Sequence, residues 1–154
     1  GGQHNGGTMT AQNPEAVVDC IQTALSNAGV AASEIDLISG HLTSTRGDPY
    51  EIKNWVDALN LSKEAFPFIN TPKSMIGHCV AGAGSIETIA CILQLSNDYI
   101  HENLNLDEIH PEITALVNQD KIPTHRVNKE MKTVIKSNFG FGDLNCCLVL
   151  RKFK

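Results

Sequence analysis

Apolar residues recur at helical spacing in two segments near the N-terminal end of the chain. In the first segment Asn13 and Pro14 precede the apolar positions and Gly29 follows them. Asparagine can accept hydrogen bonds from the free N–H groups of a first turn, proline suits that turn, and glycine suits the residue after a helix. The second segment begins with the similar pair Asp48 and Pro49. The two predicted apolar faces consist of Ala16, Val17, Cys20, Ile21, Ala24 and Leu25, and of Ile52, Trp55, Val56 and Leu59.

Short apolar runs between and after these segments predict buried strands. Two runs, at 35–39 and 66–69, flank the second helix. Two more, at 132–137 and 145–152, are joined by the residues NFGFGDL. Strands that alternate with helices predict an α/β layered domain.

The middle of the chain gives weaker patterns. Residues 74–85 are rich in glycine and other small residues and run into the apolar segment IETIACILQLSN. We expect a third helix here, with few large side chains in its first half. The stretch 97–128 contains Pro111 and Pro123 and is predicted to be long and irregular.

Composition and charge narrow the class of protein. The chain has 154 residues, 42% of them hydrophobic and 19% charged, which suits one domain with a real core. Lys and Arg number 12 against 17 Asp and Glu, so the net charge is −5 and neither nucleic acid nor an anionic membrane is an expected partner. No apolar run approaches the roughly 20 residues of a membrane span. The opening GGQHNGG predicts a loop and lacks the pattern of a signal peptide, so we expect a cytoplasmic protein.

Five cysteines are scattered along the chain without a CxxC pair. A structural zinc site needs ligands at short spacing, so no metal site is predicted. We expect reduced thiols and an intracellular setting. The cysteines are Cys20, Cys79, Cys91, Cys146 and Cys147.

Three clusters of polar and titratable residues each follow a predicted strand. They are HLTST at 41–45, KSMIGH at 73–78 with Glu87 beyond it, and NFGFG at 138–142. Loops at strand ends are where α/β enzymes place their sites. Each cluster alone also has a structural interpretation: hydrogen-bonded histidines, a solvated lysine and core phenylalanines. The glycines at 77, 82 and 84 lack the spacing of a P-loop and fit close helix packing equally well.

Together the clusters resemble the C-terminal half of the β-ketoacyl-acyl-carrier-protein synthases. The family's His-Gly-Thr-Ser-Thr motif is similar to HLTST at 41–45, and its Lys-Ser-x-x-Gly-His motif to 73–78. Its small-residue helix start with a following glutamate resembles CVAGAGSIE, which ends at Glu87. Its Asn-Ser-Phe-Gly-Phe-Gly-Gly-Thr-Asn loop resembles 137–145. The resemblance extends from Gly7 to Lys152.

This resemblance implies a thiolase-like half-fold: the C-terminal half of an α-β-α-β-α layered condensing enzyme, with a mixed sheet flanked by helices. Residues 1–154 would form this single domain. The implied activity is the decarboxylative Claisen condensation of fatty acid or polyketide synthesis, in which malonyl-acyl-carrier protein loses carbon dioxide and attacks an acyl thioester. The expected partners are an acyl carrier protein and the N-terminal half of the enzyme, in a homodimer or heterodimer. No cofactor is expected beyond the phosphopantetheine that the carrier protein bears.

The resemblance also implies roles for individual residues. His41 and His78 would donate hydrogen bonds from neutral imidazoles to the developing enolate, in a dry pocket. We expect the start of a helix to keep His78 neutral. Lys73 would pair with Glu87, and Phe139 would supply an oxyanion-hole N–H and a gating ring. The predicted substrate-binding residues are Thr43 and Thr45, for the phosphopantetheine arm, with Gly140, Phe141 and Gly142.

Some residues depart from the family's pattern. No cysteine has the setting of the family's nucleophile, which lies in the N-terminal half, so we expect this chain alone to be inactive in condensation. Leu42 replaces a glycine and would be strained if its φ were positive. Arg46 replaces a proline, and Asp143 with Leu144 replaces Gly-Thr and adds charge near the oxyanion loop.

Two other functions remain open from the sequence. One is a non-catalytic partner similar to the chain-length factors that pair with ketosynthases, which would fit the missing cysteine. The other is a thiolase-superfamily acyltransferase with different substrates. In either case a half-fold would expose the apolar face that meets its other half.

Overall fold

The computed structural model describes residues 9–10 and 12–153 of the chain. The glycine-rich opening, predicted to be a loop, lies outside the described residues. The helices are α1 (Pro14–Ala28), α2 (Asp48–Leu59), α3 (Lys73–Ile76), α4 (Ala83–Asn97) and α5 (Pro111–Leu116). The strands are β1 (Leu37–Ser39), β2 (Phe68–Asn70), β3 (Tyr99–Ile100), β4 (Val127–Asn128), β5 (Thr133–Gly140) and β6 (Leu144–Arg151).

Four strands form a mixed sheet in the order β2-β1-β5-β6. β1 is parallel to both β2 and β5, whereas β6 returns antiparallel to β5. β3 and β4 form a separate antiparallel pair. The predicted α/β fold with a mixed sheet is therefore confirmed.

Helices cover both faces of this sheet. Ile38 and Ile135 belong to the core formed with α1 and α2, whereas Leu37 and Val134 belong to the core formed with Cys91 and Leu95 of α4. Successive strand residues point to opposite faces, so each strand contributes to both cores. This alternation also determines which side chains of β5 face α4.

The first helix begins and ends as its sequence predicts. The Asn13 side chain accepts hydrogen bonds from the N–H groups of Glu15 and Ala16, and Gly29 takes a left-handed conformation after the helix. At α2 the predicted cap is wrong. Gly47 is the N-cap residue, and the Asp48 carboxylate instead accepts hydrogen bonds from the preceding loop.

Two predictions for later elements need correction. The third helix predicted from the sequence is α4, and it begins only at Ala83. Gly77 and Val80, which lie between the short α3 and α4, have positive φ and interrupt the helical backbone. The stretch 97–128 is less irregular than predicted, since it contains β3, β4 and α5.

The β5–β6 hairpin is also tighter than predicted. β5 continues through Phe139 to Gly140, so the turn is confined to 141–143. Gly142 and Asp143 have φ values of 72° and 58°, a conformation that glycine adopts at little cost. Within 9–10 and 12–153, no helix is both long and apolar enough to cross a membrane.

Candidate active site

The ends of β1 and β5 and the segment after α3 bring three aromatic rings together. The centroids of the His41 and His78 rings lie 5.3 Å apart, with the ring planes at 79°. The Phe139 ring centroid lies 6.3 Å from that of His41. Because the carboxyl ends of parallel strands meet at one edge of a sheet, loops distant in sequence converge there.

These residues border a cavity of about 650 Å³. Among the described residues that line it there is no cysteine. Lys73, Glu87 and Gly142 were predicted for the site but do not line the cavity. The predicted residues in the lining are His41, Thr43, Thr45, His78, Phe139, Gly140 and Phe141.

The hydrogen bonding of His78 defines its tautomer. The N–H of Val80 donates to its Nδ1 across 3.0 Å, so Nδ1 carries no proton and the neutral ring donates from Nε2. The start of a helix, which we expected to keep His78 neutral, is not found at this residue. His78 precedes a 3₁₀ turn at Val80–Gly82 and lies five residues before α4 begins. Its side chain is exposed rather than enclosed in a dry pocket.

His41 is held neutral by its surroundings. Burial is the largest cause that lowers the pKa of its imidazole to about 4, and the positive charges of Lys73 and Lys136 act in the same direction. Only Glu87 opposes them. At neutral pH His41 can therefore donate a hydrogen bond without carrying a charge.

A buried cluster of three charges lies behind the histidines. Glu87, 1% exposed on α4, forms ion pairs with Lys73 through one oxygen and with Lys136, 2.5 Å away, through the other. Burial alone would raise the pKa of the Glu87 carboxyl, but Lys136 and Lys73 hold it below its ordinary range. Asn138 adds a hydrogen bond of 3.2 Å to the same carboxylate.

Lys136 was missed from the sequence. Its only signal is a lysine directly after the apolar pair Val134 and Ile135 in a predicted buried strand, where burial requires a partner of opposite charge.

Glu51 was also missed, although it supports His41 directly. Its carboxylate accepts hydrogen bonds from the N–H groups of His41 and Leu42, at 2.7 and 2.9 Å. Burial raises the pKa of Glu51 to about 7 against these favourable contacts. A Cβ on Gly40 would lie 2.9 Å from this carboxylate, so the residue before His41 has to be small.

The structure places the two threonines of the loop 41–45 at the cavity, where the sequence predicts them. The hydroxyl oxygens of Thr43 and Thr45 lie 3.1 Å apart, and both residues line the cavity. Leu42 is not strained, because the positive φ of this loop, 56°, belongs to Ser44. The condition under which this substitution for glycine would cause strain is therefore not met.

The two phenylalanines of the third cluster differ in their surroundings. Phe139 is 4% exposed and belongs to the core between the sheet and α1–α2, whereas Phe141 is 71% exposed on the turn. Asp143 is buried, and its carboxylate accepts a hydrogen bond of 2.8 Å from the N–H of Asn13. The added charge thus anchors the turn to the start of α1.

None of the five cysteines belongs to the described lining of the cavity. Cys20 and Cys147 share a hydrogen bond, which lowers the pKa of Cys20 to about 7 and raises that of Cys147. Cys91 is buried against the sheet, Cys146 is exposed on β6, and Cys79 follows His78. No group of three or more His, Cys, Asp or Glu suited to a metal occurs in the described part of the chain.

Comparison with known proteins identifies the family of this chain. The family model described as "Beta-ketoacyl synthase, C-terminal domain" matches residues 1–107. A relative from Arabidopsis thaliana, 3-oxoacyl-[acyl-carrier-protein] synthase I, chloroplastic, is 35% identical over 90% of this chain and 28% of its own length. The chain spans about a third of the length of the curated relatives it matches.

Two solved structures have the same fold. The ishigamide ketosynthase/chain length factor superposes with a TM-score of 0.87 at 29% identity, covering 99% of this chain and 36% of that one. The AntDE:AntF complex, a type II polyketide acyl-carrier protein with its ketosynthase, gives 0.83 at 29% identity, covering 98% and 36%.

The fold thus defines an α/β domain of the thiolase-like class. The chain belongs to the β-ketoacyl synthase family and corresponds to its C-terminal domain.

Proposed function

We propose that this chain supplies the decarboxylation half of a β-ketoacyl-acyl-carrier-protein synthase site. The observation that carries the proposal is the pair of imidazole rings 5.3 Å apart at the wall of a cavity of about 650 Å³. Two neutral N–H donors at this separation can share one oxygen that becomes negative during the reaction.

The proposed step begins with a malonyl thioester bound in the cavity. The bond between its carboxylate and the neighbouring carbon breaks, carbon dioxide leaves, and the electron pair forms an enolate on the thioester oxygen. Nε2–H of His78 and the ring N–H of His41 stabilise that oxygen. The enolate carbon then attacks an acyl thioester, and the thiolate that held the acyl group leaves.

The acyl thioester requires a nucleophile that this chain does not provide at the cavity. No cysteine belongs to the described lining, and Cys91 of α4 is buried in the core against the sheet. We therefore assign the nucleophilic cysteine to the N-terminal half of a complete synthase.

The substrate carrier is an acyl carrier protein. The curated relatives are named for acyl-carrier-protein substrates, and one structural neighbour contains such a protein with its ketosynthase. Thr43 and Thr45 place two hydroxyls side by side on the cavity wall, where they suit the amide groups of a phosphopantetheine arm.

Phe141 suits the gate better than Phe139. A gate has to move, and the Phe139 ring is held in the core while the Phe141 ring is exposed on a three-residue turn. Phe139 instead supports the His41 ring from one side.

The non-catalytic alternative is less well supported. A partner subunit would not need Val80 to define the His78 tautomer, nor a set of charges that holds His41 neutral.

The test is the decarboxylation of malonyl-acyl-carrier protein by the enzyme that contains this chain. His41→Ala and His78→Ala should each lower kcat by about 100-fold or more, since each removes one donor to the oxyanion. His125→Ala is the matched control, because His125 is exposed and lies outside the cavity. If both site variants decarboxylate as fast as the control, the proposal is wrong.

A further inference from the structure

Lys136 is the one charged residue on β5 that faces the site from behind. It shares its face of the strand with Val134, which packs against α4. Its side chain is 1% exposed, and its ammonium group contacts both Glu87 and the carbonyl oxygen of Ser137. A fully buried ammonium is costly unless it is paired, so its position is defined by these contacts.

The charges in this cluster do not cancel. Lys73, which forms a buried ion pair with Glu87, is by itself enough to balance the charge of that carboxylate. Lys136 adds a second ammonium group. Burial lowers the pKa of Lys73 whereas Glu87 raises it, and with both lysines charged the three buried groups carry a net charge of +1. That excess lies behind the two imidazoles at which an oxyanion would form.

The surroundings contain few other charges that could change this balance. The groups that face the cluster and His41 are His78 from the loop, Glu51 from α2, Cys91 from α4 and Ser39 from β1. Glu51 is the only further acid among them, and its backbone hydrogen bonds go to the His41 loop.

We propose that Lys136 is a positioning residue: it fixes the second oxygen of Glu87 and gives the buried Lys73–Glu87–Lys136 cluster a net positive charge behind His41 and His78. The charge makes protonation of His41 unfavourable and favours negative charge on an oxygen bound between the rings. The effect on rate rests on the proposed function, whereas the effect on His41 does not.

The test compares three substitutions in the enzyme that contains this chain. Lys136→Met removes the charge and keeps the length, and Lys136→Arg keeps the charge. Lys129→Met is the matched control, because it removes a lysine from the partly exposed pair with Asp36. The first readout is the pKa of His41, measured without substrate by NMR of the 13C-labelled ring, and the second is kcat and KM for malonyl-carrier decarboxylation.

The expected results are specific to the charge. Lys136→Met should raise the pKa of His41 by about one unit or more and lower kcat about tenfold, with little change in KM. In Lys136→Arg the pKa of His41 and kcat should both stay near their wild-type values. Lys129→Met should change neither quantity. If Lys136→Met does not fold, Lys136→Gln, which retains donors for Glu87 and Ser137, should give the same shifts.

Two outcomes would overturn the inference. One is a folded, uncharged variant in which the pKa of His41 stays at its wild-type value. The other is an equal loss of kcat in Lys136→Met and in Lys136→Arg, which would indicate a role in packing. If the wild-type enzyme lacks decarboxylase activity, the proposed function fails, but the NMR comparison still tests the role of Lys136.

Discussion

At the scale of single residues, the protonation states around His41 determine what the site can do. Glu51 receives two backbone N–H groups from the loop that carries this histidine, yet burial keeps the pKa of its carboxyl at about 7. Between its ordinary value of 4.5 and about 7, the folded state therefore keeps a proton that the unfolded chain releases. The contribution of Glu51 to stability falls as the pH rises through that window.

We predict that one glutamate of the folded protein titrates near pH 7. NMR of 13C-labelled glutamate carboxyls should show this titration in the wild type and not in Glu51→Gln. The carboxyls of Glu64 and Glu87, whose pKa values are lowered, should titrate below their ordinary range and serve as internal references. A spectrum in which every glutamate titrates below pH 5 would contradict the assignment.

Substitution of Phe139 and of Phe141 should separate a role in stability from a role in gating. Phe139→Ala should lower the free energy of unfolding by about 3–5 kcal/mol, because it leaves a cavity in the core. Phe141→Ala should change it by less than about 0.5 kcal/mol, because the ring is exposed, while altering acyl loading. Urea unfolding and acylation rates of both variants test this, and equal losses of stability would show that Phe141 also belongs to the core.

The motif residues could be recognised from the sequence, but the residues behind them could not. His41, Lys73, His78 and Glu87 belong to spaced motifs, and the structure brings all four together. Lys136 and Glu51 have no motif. Lys136 is recognised by its ion pair with Glu87 and Glu51 by its hydrogen bonds to the His41 loop. Both contacts become visible only when β5 and α2 are placed against the site.

At the scale of elements, α2 holds the threonine loop in place. The Asp48 carboxylate accepts hydrogen bonds from the N–H groups of Thr43 and Ser44, at 2.9 and 3.0 Å. The first turn of the helix therefore fixes the backbone of the loop that carries the hydroxyls of Thr43 and Thr45. The positive φ of Ser44 is kept by the same contacts.

We predict that Asp48→Ala loosens this loop. Hydrogen exchange at the amides of Thr43 and Ser44 should accelerate by at least about tenfold, and KM for the malonyl carrier should rise. Asp57→Ala is the control, because it removes an exposed carboxylate from the other end of α2. Unchanged exchange in Asp48→Ala would show that the hydrogen bonds to Asp48 do not hold this loop.

Element prediction succeeded where side-chain chemistry and periodicity agree. α1 has a capping asparagine, an apolar face and a terminal glycine, and all three are found in the structure. The start of α4 was predicted too early, because small residues are compatible with a helix while nothing in the sequence signals the positive φ of Val80, whose N–H bonds to the His78 ring. The end of β5 was predicted too early because glycine and asparagine are usual in turns, although here they continue the ladder with β6.

At the scale of the whole molecule, α4 is apolar on its outer side. Its buried residues include the polar Glu87 and Gln94, whereas Ile86, Ile89 and Leu93 are exposed, Ile89 by 58%. Val80 extends this apolar stripe beyond the helix. A helix that is apolar on both sides is usually covered on both sides.

We predict that the isolated chain associates through this stripe. Light scattering should show species larger than a monomer, and a hydrophobic dye should bind. Ile89→Lys should reduce both signals, while Ile76→Lys, on the short α3, should reduce them less. A monodisperse wild-type monomer without dye binding would contradict the half-fold interpretation.

The central claim is that the histidines act as neutral hydrogen-bond donors, and glutamine tests it directly. The amide group that His78→Gln introduces can accept from the N–H of Val80 and donate near the position of Nε2, but it cannot act as a base. The measurement is the rate of malonyl-carrier decarboxylation in His78→Gln relative to His78→Ala. We predict that His78→Gln is faster by about tenfold or more. Equal rates for the two variants would contradict the account.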